Sequence, residues 1–370
     1  MFNPTRFALA RKRRGIKKKA LAQLIGVSEK SVTSYEKGMQ EPERETLKRI
    51  ALALNFPPDF FLADDVDELT PSIASFRALT KMTASQRDIA LSAGSVALLL
   101  NEWIERRFEL PAADLPDLSR ELTAKSQISP EAAAEALRHH WGMGEASIKN
   151  MITLLESKGI RVFSLAIDAR EVDAYSMWYG GKPFVFLNTL KSAEHCRFDA
   201  AHELGHLVLH KHGEPQGQEI EREANAFASA FLMPRRSVLA NAPKFPSIPS
   251  LIAYKKHWTV SVAALNYRLH SLGLTTDWIY RTLCIQISEA GYRTQEPEGA
   301  PHETSQVLSK VFAALREEGI TKNDIANELM LAPSEIEELT FGLMLAAQSG
   351  SGSQASTTSK RNRSHLRVVK

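Results

Sequence analysis

Residues 15–54, GIKKKALAQLIGVSEKSVTSYEKGMQEPERETLKRIALAL, read as short helices punctuated by glycines. Lys18–Ile25 puts Leu21, Leu24 and Ile25 on one apolar face, Gly26-Val27-Ser28 makes a tight turn, and Ser28 caps a helix running to Lys37. Gly38 ends that helix, and Leu47, Ile50, Ala51 and Leu54 recur at helical spacing over Thr46–Asn55. Upstream, Thr5–Arg14 is a helix with Phe7 and Leu9 inward, broken by Gly15. Two short helices joined by a glycine turn and flanked by two more are a helix-turn-helix domain.

The charge of this region sets it apart. Residues 1–62 hold 13 Lys/Arg against 6 Asp/Glu, whereas the 370-residue chain is only +3 overall. A basic head suits a polyanion. Residues 303–345 reverse the balance, with 3 basic and 8 acidic side chains, and the last twenty residues carry five basic groups and no acid. With 44% apolar and 24% charged residues, the chain has enough apolar surface for two or three cores, which excludes collagen-like, coiled-coil and wholly disordered classes. Two cysteines are too few for a disulfide scaffold and suit a reducing cytosol. No secretory signal or membrane span is visible, so a cytoplasmic location and no membrane partner are expected.

Over nearly all of 6–62 the pattern resembles the repressor-type (XRE) helix-turn-helix family. The resemblance implies double-stranded operator DNA as a partner, a homodimer, and a recognition helix entering the major groove by its N-terminal end. By position, Ser28, Glu29, Lys30, Ser31 and Ser34 become the groove-facing residues, Val32 and Tyr35 face the core, and Glu36 becomes an internal hydrogen-bond or charge partner. Lys18 stands where the family often has Gln, which favours a backbone phosphate over a base edge.

The second informative stretch is CRFDAAHELGHLVLH, residues 196–210. It reads as a helix packed through Phe198, Ala201, Leu204, Leu207 and Val208, with His202 and His206 one turn apart on one face. That spacing lets two imidazoles share a zinc ion, and Glu203 projects beside it as a general base for metal-activated water. A third ligand must come from elsewhere. His210 is some 12 Å along the helix from His202, too far for one ion. His212 has the metzincin spacing, but Leu209 stands where that class needs a glycine. Downstream, GQEIEREANAFASAFLMP is a second helix with Ala224, Phe227, Ala228, Phe231 and Leu232 inward, and Glu219 and Glu223 on one face.

The pair HELGH…EREANAFASAFLMP resembles the ImmA/IrrE family of zinc-dependent endopeptidases, over roughly 133–274. The likeness includes strand-like IRVFSL, AYSMWYGG and KPFVFLN. It implies zinc as the cofactor, His202, His206 and Glu223 as ligands with Glu219 as the alternative, and Glu203 as the catalytic base. Asp199 is a candidate to orient an imidazole. Tyr267 and Arg268 match a recurring pair of the family, with packing favoured over transition-state contact, and strand 184–188, if at a sheet edge, would bind an extended peptide. The implied substrate is a helix-turn-helix repressor or other protein, a partner or another copy of the chain. The competing function is a DNA-binding regulator whose peptidase-like domain only senses a ligand or partner.

The expected fold is mainly α with a small β-sheet, an α+β chain. A helix-turn-helix domain at 1–65 leads through a helical linker at 66–130 to a zincin-like HExxH domain at 131–290. A helical module at 300–346 and a disordered basic tail at 347–370 follow. The module repeats the head at an offset of 304 residues: Gly15-Ile16 aligns with Gly319-Ile320, Leu21-Ala22 with Ile325-Ala326, Val27 with Leu331, Val32 with Ile336, and Gly38 with Gly342. Its would-be recognition helix carries Glu335, Glu337 and Glu338, which phosphate repels, so it is expected to contact protein, even a basic helix-turn-helix surface.

Overall fold

A computed structural model describes residues 1–70, 82–118, 128–165, 174–211, 218–343 and 367–368. The head consists of α1 (Pro4–Arg13), α2 (Lys18–Ile25), α3 (Glu29–Glu36), α4 (Arg44–Leu54) and a 3₁₀ turn (Pro58–Leu62). Asn3 and Ser28 cap α1 and α3 by accepting hydrogen bonds from backbone N–H groups. Inside lies an aromatic cluster of Phe2, Phe7, Tyr35, Phe56, Phe60 and Phe61, all buried. Burying each such ring contributes roughly 1.5–3 kcal/mol.

The long helix α5 (Ala84–Glu105) starts in a capping box between Thr83 and Gln86. It lies in the stretch read as a helical linker, and residues 90–98 are buried on every side. Leu98 is inside as well. The helix packs against α1, against one face of the sheet and against the C-terminal module. Small residues permit this: a Cβ on Gly94 would fall 2.3 Å from the Tyr175 hydroxyl, which donates to the Ala90 carbonyl. A strip of two residues, β1 (Phe108–Glu109), follows.

The next helices are α6 (Pro130–His140) and α7 (Met151–Ser157). Three strands come next, β2 (Arg161–Ser164), β3 (Ala174–Tyr179) and β4 (Lys182–Leu187), in the order β2-β4-β3. β2 is parallel to β4, and β3 is antiparallel to it across the Gly180-Gly181 turn. Strand 184–188, which would bind an extended peptide only if at a sheet edge, is therefore the central one. β3 has the outer position because its hairpin with β4 leaves β2 to pair on the other side.

Side-chain alternation makes the sheet a partition. Phe163, Tyr175, Phe184 and Phe186 join the core that contains the head and α5. Val162, Ala174, Val185 and Leu187 join a second core with α8 (Ala193–Leu209) and α9 (Gln218–Leu232). The second core is completed by α10 (Arg235–Asn241), α11 (Ile248–Trp258), α12 (Val262–Ser271) and α13 (Asp277–Glu289).

The C-terminal module is α14 (Gln306–Glu317), α15 (Lys322–Leu329) and α16 (Pro333–Leu339). Adding 304 to the bounds of α2 gives those of α15, and α1 and α3 map onto α14 and α16 within two residues. Of the tail, Arg367–Val368 is described, as β5 paired antiparallel with β1. Among the described residues no helix is long and apolar enough to cross a membrane.

Candidate functional site

Helices α8 and α9 cross closely because α8 has a glycine at the contact. A Cβ on Gly205 would lie 3.0 Å from the Phe227 ring and 3.4 Å from the Ala224 Cα. The close approach brings the polar flank of α9 over the two motif histidines. His202 Nε2 and His206 Nε2 are 3.0 Å apart. Glu221 lies against both, 3.7 Å from His202 Nε2 and 3.5 Å from His206 Nε2. Among the described residues, His202, His206 and Glu221 form a group able to hold a metal ion.

The donor set fits zinc. Two ligands of a tetrahedral ion with bonds of about 2.0–2.1 Å sit roughly 3.3 Å apart, and the three observed separations bracket that value. Each imidazole also has its far nitrogen occupied. His202 Nδ1 is 3.1 Å from Asn225 Oδ1, and His206 Nδ1 is 3.0 Å from His210 Nδ1. The two Nε2 atoms are thus turned toward each other and toward Glu221, with partners behind them that orient the rings. Burial, followed by the nearby His206, pulls the His202 pKa down to about 4, which keeps that ring in the neutral form a metal requires.

The carboxylate brought to the two histidines is that of Glu221, not of the Glu223 or Glu219 named from the sequence. Glu223 is beside His210, its Oε2 3.0 Å from His210 Nε2, and Glu219 pairs on the surface with Arg222. Helical phase explains this. At about 100° per residue, Glu221 and Asn225 share one flank of the stripe Ala224, Phe227, Ala228 and Phe231, and Glu223 falls on the opposite flank. His210 links Glu223 to His206, so Glu223 reaches the motif at one remove. His212, the other sequence candidate, lies outside the described residues.

Glu203 projects to the sheet side. Its carboxylate accepts a 2.6 Å hydrogen bond from the Ser176 hydroxyl on β3. Burial raises its pKa to about 7. Asp199 turns to His195, 3.5 Å away, instead of orienting a motif imidazole. Arg268 is a packing residue: it makes a two-pronged pair with Glu131 at 2.6 Å and donates to the Met233 carbonyl. Its neighbour Tyr267 is different, facing a cavity of about 830 Å³ that opens beside Glu221 and Asn225. Tyr280 and Tyr292 line the same cavity from α13 and the segment after it.

Sequence reasoning missed Glu221, Asn225 and Ser176. The first two had a readable signal, an i,i+4 polar pair beside the apolar stripe of α9, matching the i,i+4 histidines of α8. Ser176 had none, because its contact depends on how β3 lies across α8.

On the head, Ser28, Glu29 and Lys30 are exposed at the N-terminal end of α3, and Ser31 and Ser34 are partly exposed. Ser28 Oγ accepts from Ser31 N and sits 2.9 Å from Ser31 Oγ, so part of this polar face is committed to capping. Lys18 is held by Glu36 at 2.5 Å, and Arg11 pairs with the same carboxylate. Val32 and Tyr35 are buried.

Residues 155–270 match the family described as the IrrE N-terminal-like domain, and residues 8–61 match the helix-turn-helix family. No curated protein matches the chain. Both motif helices fall inside the first match, whereas α13 and its share of the cavity wall fall beyond it.

Proposed function

For a chain that joins an XRE-type helix-turn-helix domain to an IrrE/ImmA-like peptidase domain, we propose a cytoplasmic DNA-binding regulator that is also a zinc endopeptidase. One observation carries the peptidase reading: His202, His206 and Glu221 converge at the spacing of a single ion, with Glu203 next to His202 in the chain. His202, His206 and Glu221 would hold the zinc, in place of the set with Glu223. When bound, the ion supplies Lewis-acid activation of water and of the scissile carbonyl.

The chain's own residues do the rest. Glu203, positioned by Ser176, takes the proton from the attacking water and delivers it to the leaving amine. Asn225, and His210 backed by Glu223, keep the two imidazoles turned inward. β3 is the edge strand nearest Glu203, which favours an extended peptide laid along it. The adjoining cavity accommodates a side chain of that peptide. The substrate proposed is a repressor-type helix-turn-helix protein, a partner or a second copy of the chain.

On the head, the exposed N-terminal end of α3 supports operator binding as a dimer through Ser28, Glu29, Lys30, Ser31 and Ser34. Lys18 contacts phosphate only by leaving Glu36.

The test is metal content and repressor cleavage in parallel. Glu203→Gln should keep zinc and lose about 10²–10⁴-fold in cleavage rate, and Glu221→Ala should lose zinc. Unchanged cleavage by Glu203→Gln overturns the catalytic reading in favour of a sensing domain. Zinc retained by Glu221→Ala but lost from Glu223→Ala overturns the ligand set.

A further inference from the structure

The offset of 304 residues pairs Ser31 and Ser34 on the outward face of α3 with Glu335 and Glu338 on α16. These two glutamates do not face solvent together. Glu335 is fully buried, and its Oε2 accepts a 2.8 Å hydrogen bond from Arg13 Nε. Glu338 Oε2 accepts from Arg13 Nη2 at 2.5 Å, and Arg14 Nη1 lies 2.5 Å from Glu335 Oε1. Arg13 and Arg14 end α1 of the head, so the recognition position of one copy holds the basic corner of the other.

The rest of the contact is built to match. Glu328 on α15 accepts from the Trp103 indole and from Arg107, which fastens the module to α5. α5 in turn packs along α1. The exposed residues of α3, Ser28, Glu29 and Lys30, remain outside this junction. A carboxylate pair cannot approach phosphate, but a buried guanidinium needs such acceptors, since an unpaired buried charge is costly.

We propose that the C-terminal module is an intramolecular clamp, a helix-turn-helix copy whose recognition face has been turned from DNA to the Arg13–Arg14 corner of the chain's own head. It fixes the orientation of the DNA-binding head on α5 and the sheet while leaving α3 free. The partner is thus a basic helix-turn-helix surface in the same chain. The proposal stands apart from the zinc chemistry and is tested without it.

The experiment is hydrogen exchange on the full chain, read by mass spectrometry. Two doubly substituted chains approach the junction from opposite sides: Glu335→Gln with Glu338→Gln, and Arg13→Lys with Arg14→Lys. Lys keeps the charge but loses the planar fork that reaches both carboxylates. Coupling between two surfaces is reciprocal. Each double variant should therefore speed exchange at both 7–16 and 333–340, by about tenfold or more, and leave α8 unchanged. Acceleration confined to the mutated side overturns the clamp. So does uniform loss of protection over 306–343 in the Gln variant when the Lys variant leaves 333–340 as in the parent. Protection of 7–16 that falls on dilution also overturns it, because the contact is then made between two copies.

Discussion

The head and the C-terminal module are the same three helices at a distance of 304 residues, yet they are finished differently. Buried positions correspond: Leu21 with Ile325, Ala22 with Ala326, Val32 with Ile336, Tyr35 with Leu339. The partly exposed positions do not: Ser31 and Ser34 on α3 become Glu335, which is buried, and Glu338 on α16. The two also differ in what closes the core. The head supplies its own lid, α4 and the 3₁₀ turn, which puts Phe60 and Phe61 against Phe7 and Phe56. Among the described residues the module has three helices, and its open side rests on α5 and the sheet. The same helical frame can thus be a domain or a part of one, depending on whether its last wall comes from its own sequence.

Excision should break the comparison most sharply. Residues 1–70 carry a closed aromatic core and should retain their helices when expressed alone. Residues 303–343 should not, because a piece near about 40 residues cannot bury enough surface without a metal, a disulfide or a partner. Circular dichroism of the two pieces decides it, with an all-or-none difference expected. A cooperatively melting 303–343 would show that α5 is a neighbour of the module and not its wall.

The next effect is smaller and bears on the surfaces. If α3 reads DNA, Lys30→Ala should weaken duplex binding several-fold on all sequences and reduce the dependence of log K on log salt by about one. Ser34→Ala should alter preference among sequences more than overall affinity. Titrations at several salt concentrations separate the two. An unchanged salt slope for Lys30→Ala would remove Lys30 from the phosphate contacts. The module, with 3 basic and 8 acidic side chains over 303–345, has no equivalent interaction to lose.

Much of this was legible because it depends on local pattern. Glycine turns, capping serines and the period of apolar residues located the head's helices within about two residues, and the repeat came from spacing alone. His202 and His206 were legible for the same reason, since i,i+4 on a helix fixes their separation. Contacts across elements were not. That Glu221 and not Glu223 meets the two histidines depends on which flank of α9 faces α8, and Gly205 sets that crossing. The burial of α5 was hidden because its small residues, Ala90, Ser92, Ala93, Gly94, Ser95 and Ala97, lack a strong stripe. They mark a helix approached from all sides, a property of its neighbours. Whether β4 lies at an edge stayed open as well, because a strand's sequence does not say how many neighbours it has.

The smallest effect sharpens the comparison at a single turn. Gly26 ends α2 with φ +68°, and its counterpart Met330 ends α15 with φ +55°. A side chain in the left-handed region costs roughly 1–2 kcal/mol, and the module bears that cost where the head avoids it. A Cβ on Gly26 would come within 3.0 Å of Arg49 Nη1 only, the movable end of a long side chain, so conformational strain dominates the penalty. Gly26→Met, which installs the module's residue in the head, should therefore lower stability by about 1 kcal/mol and leave the fold intact. Met330→Gly should change stability by less than about 0.5 kcal/mol, because relief of strain is offset by the entropy of a freer unfolded chain and by lost packing of a partly buried side chain. Local hydrogen exchange over each turn measures both. A loss above about 2 kcal/mol for Gly26→Met would mean that the two turns, alike in backbone, are not alike in what surrounds them.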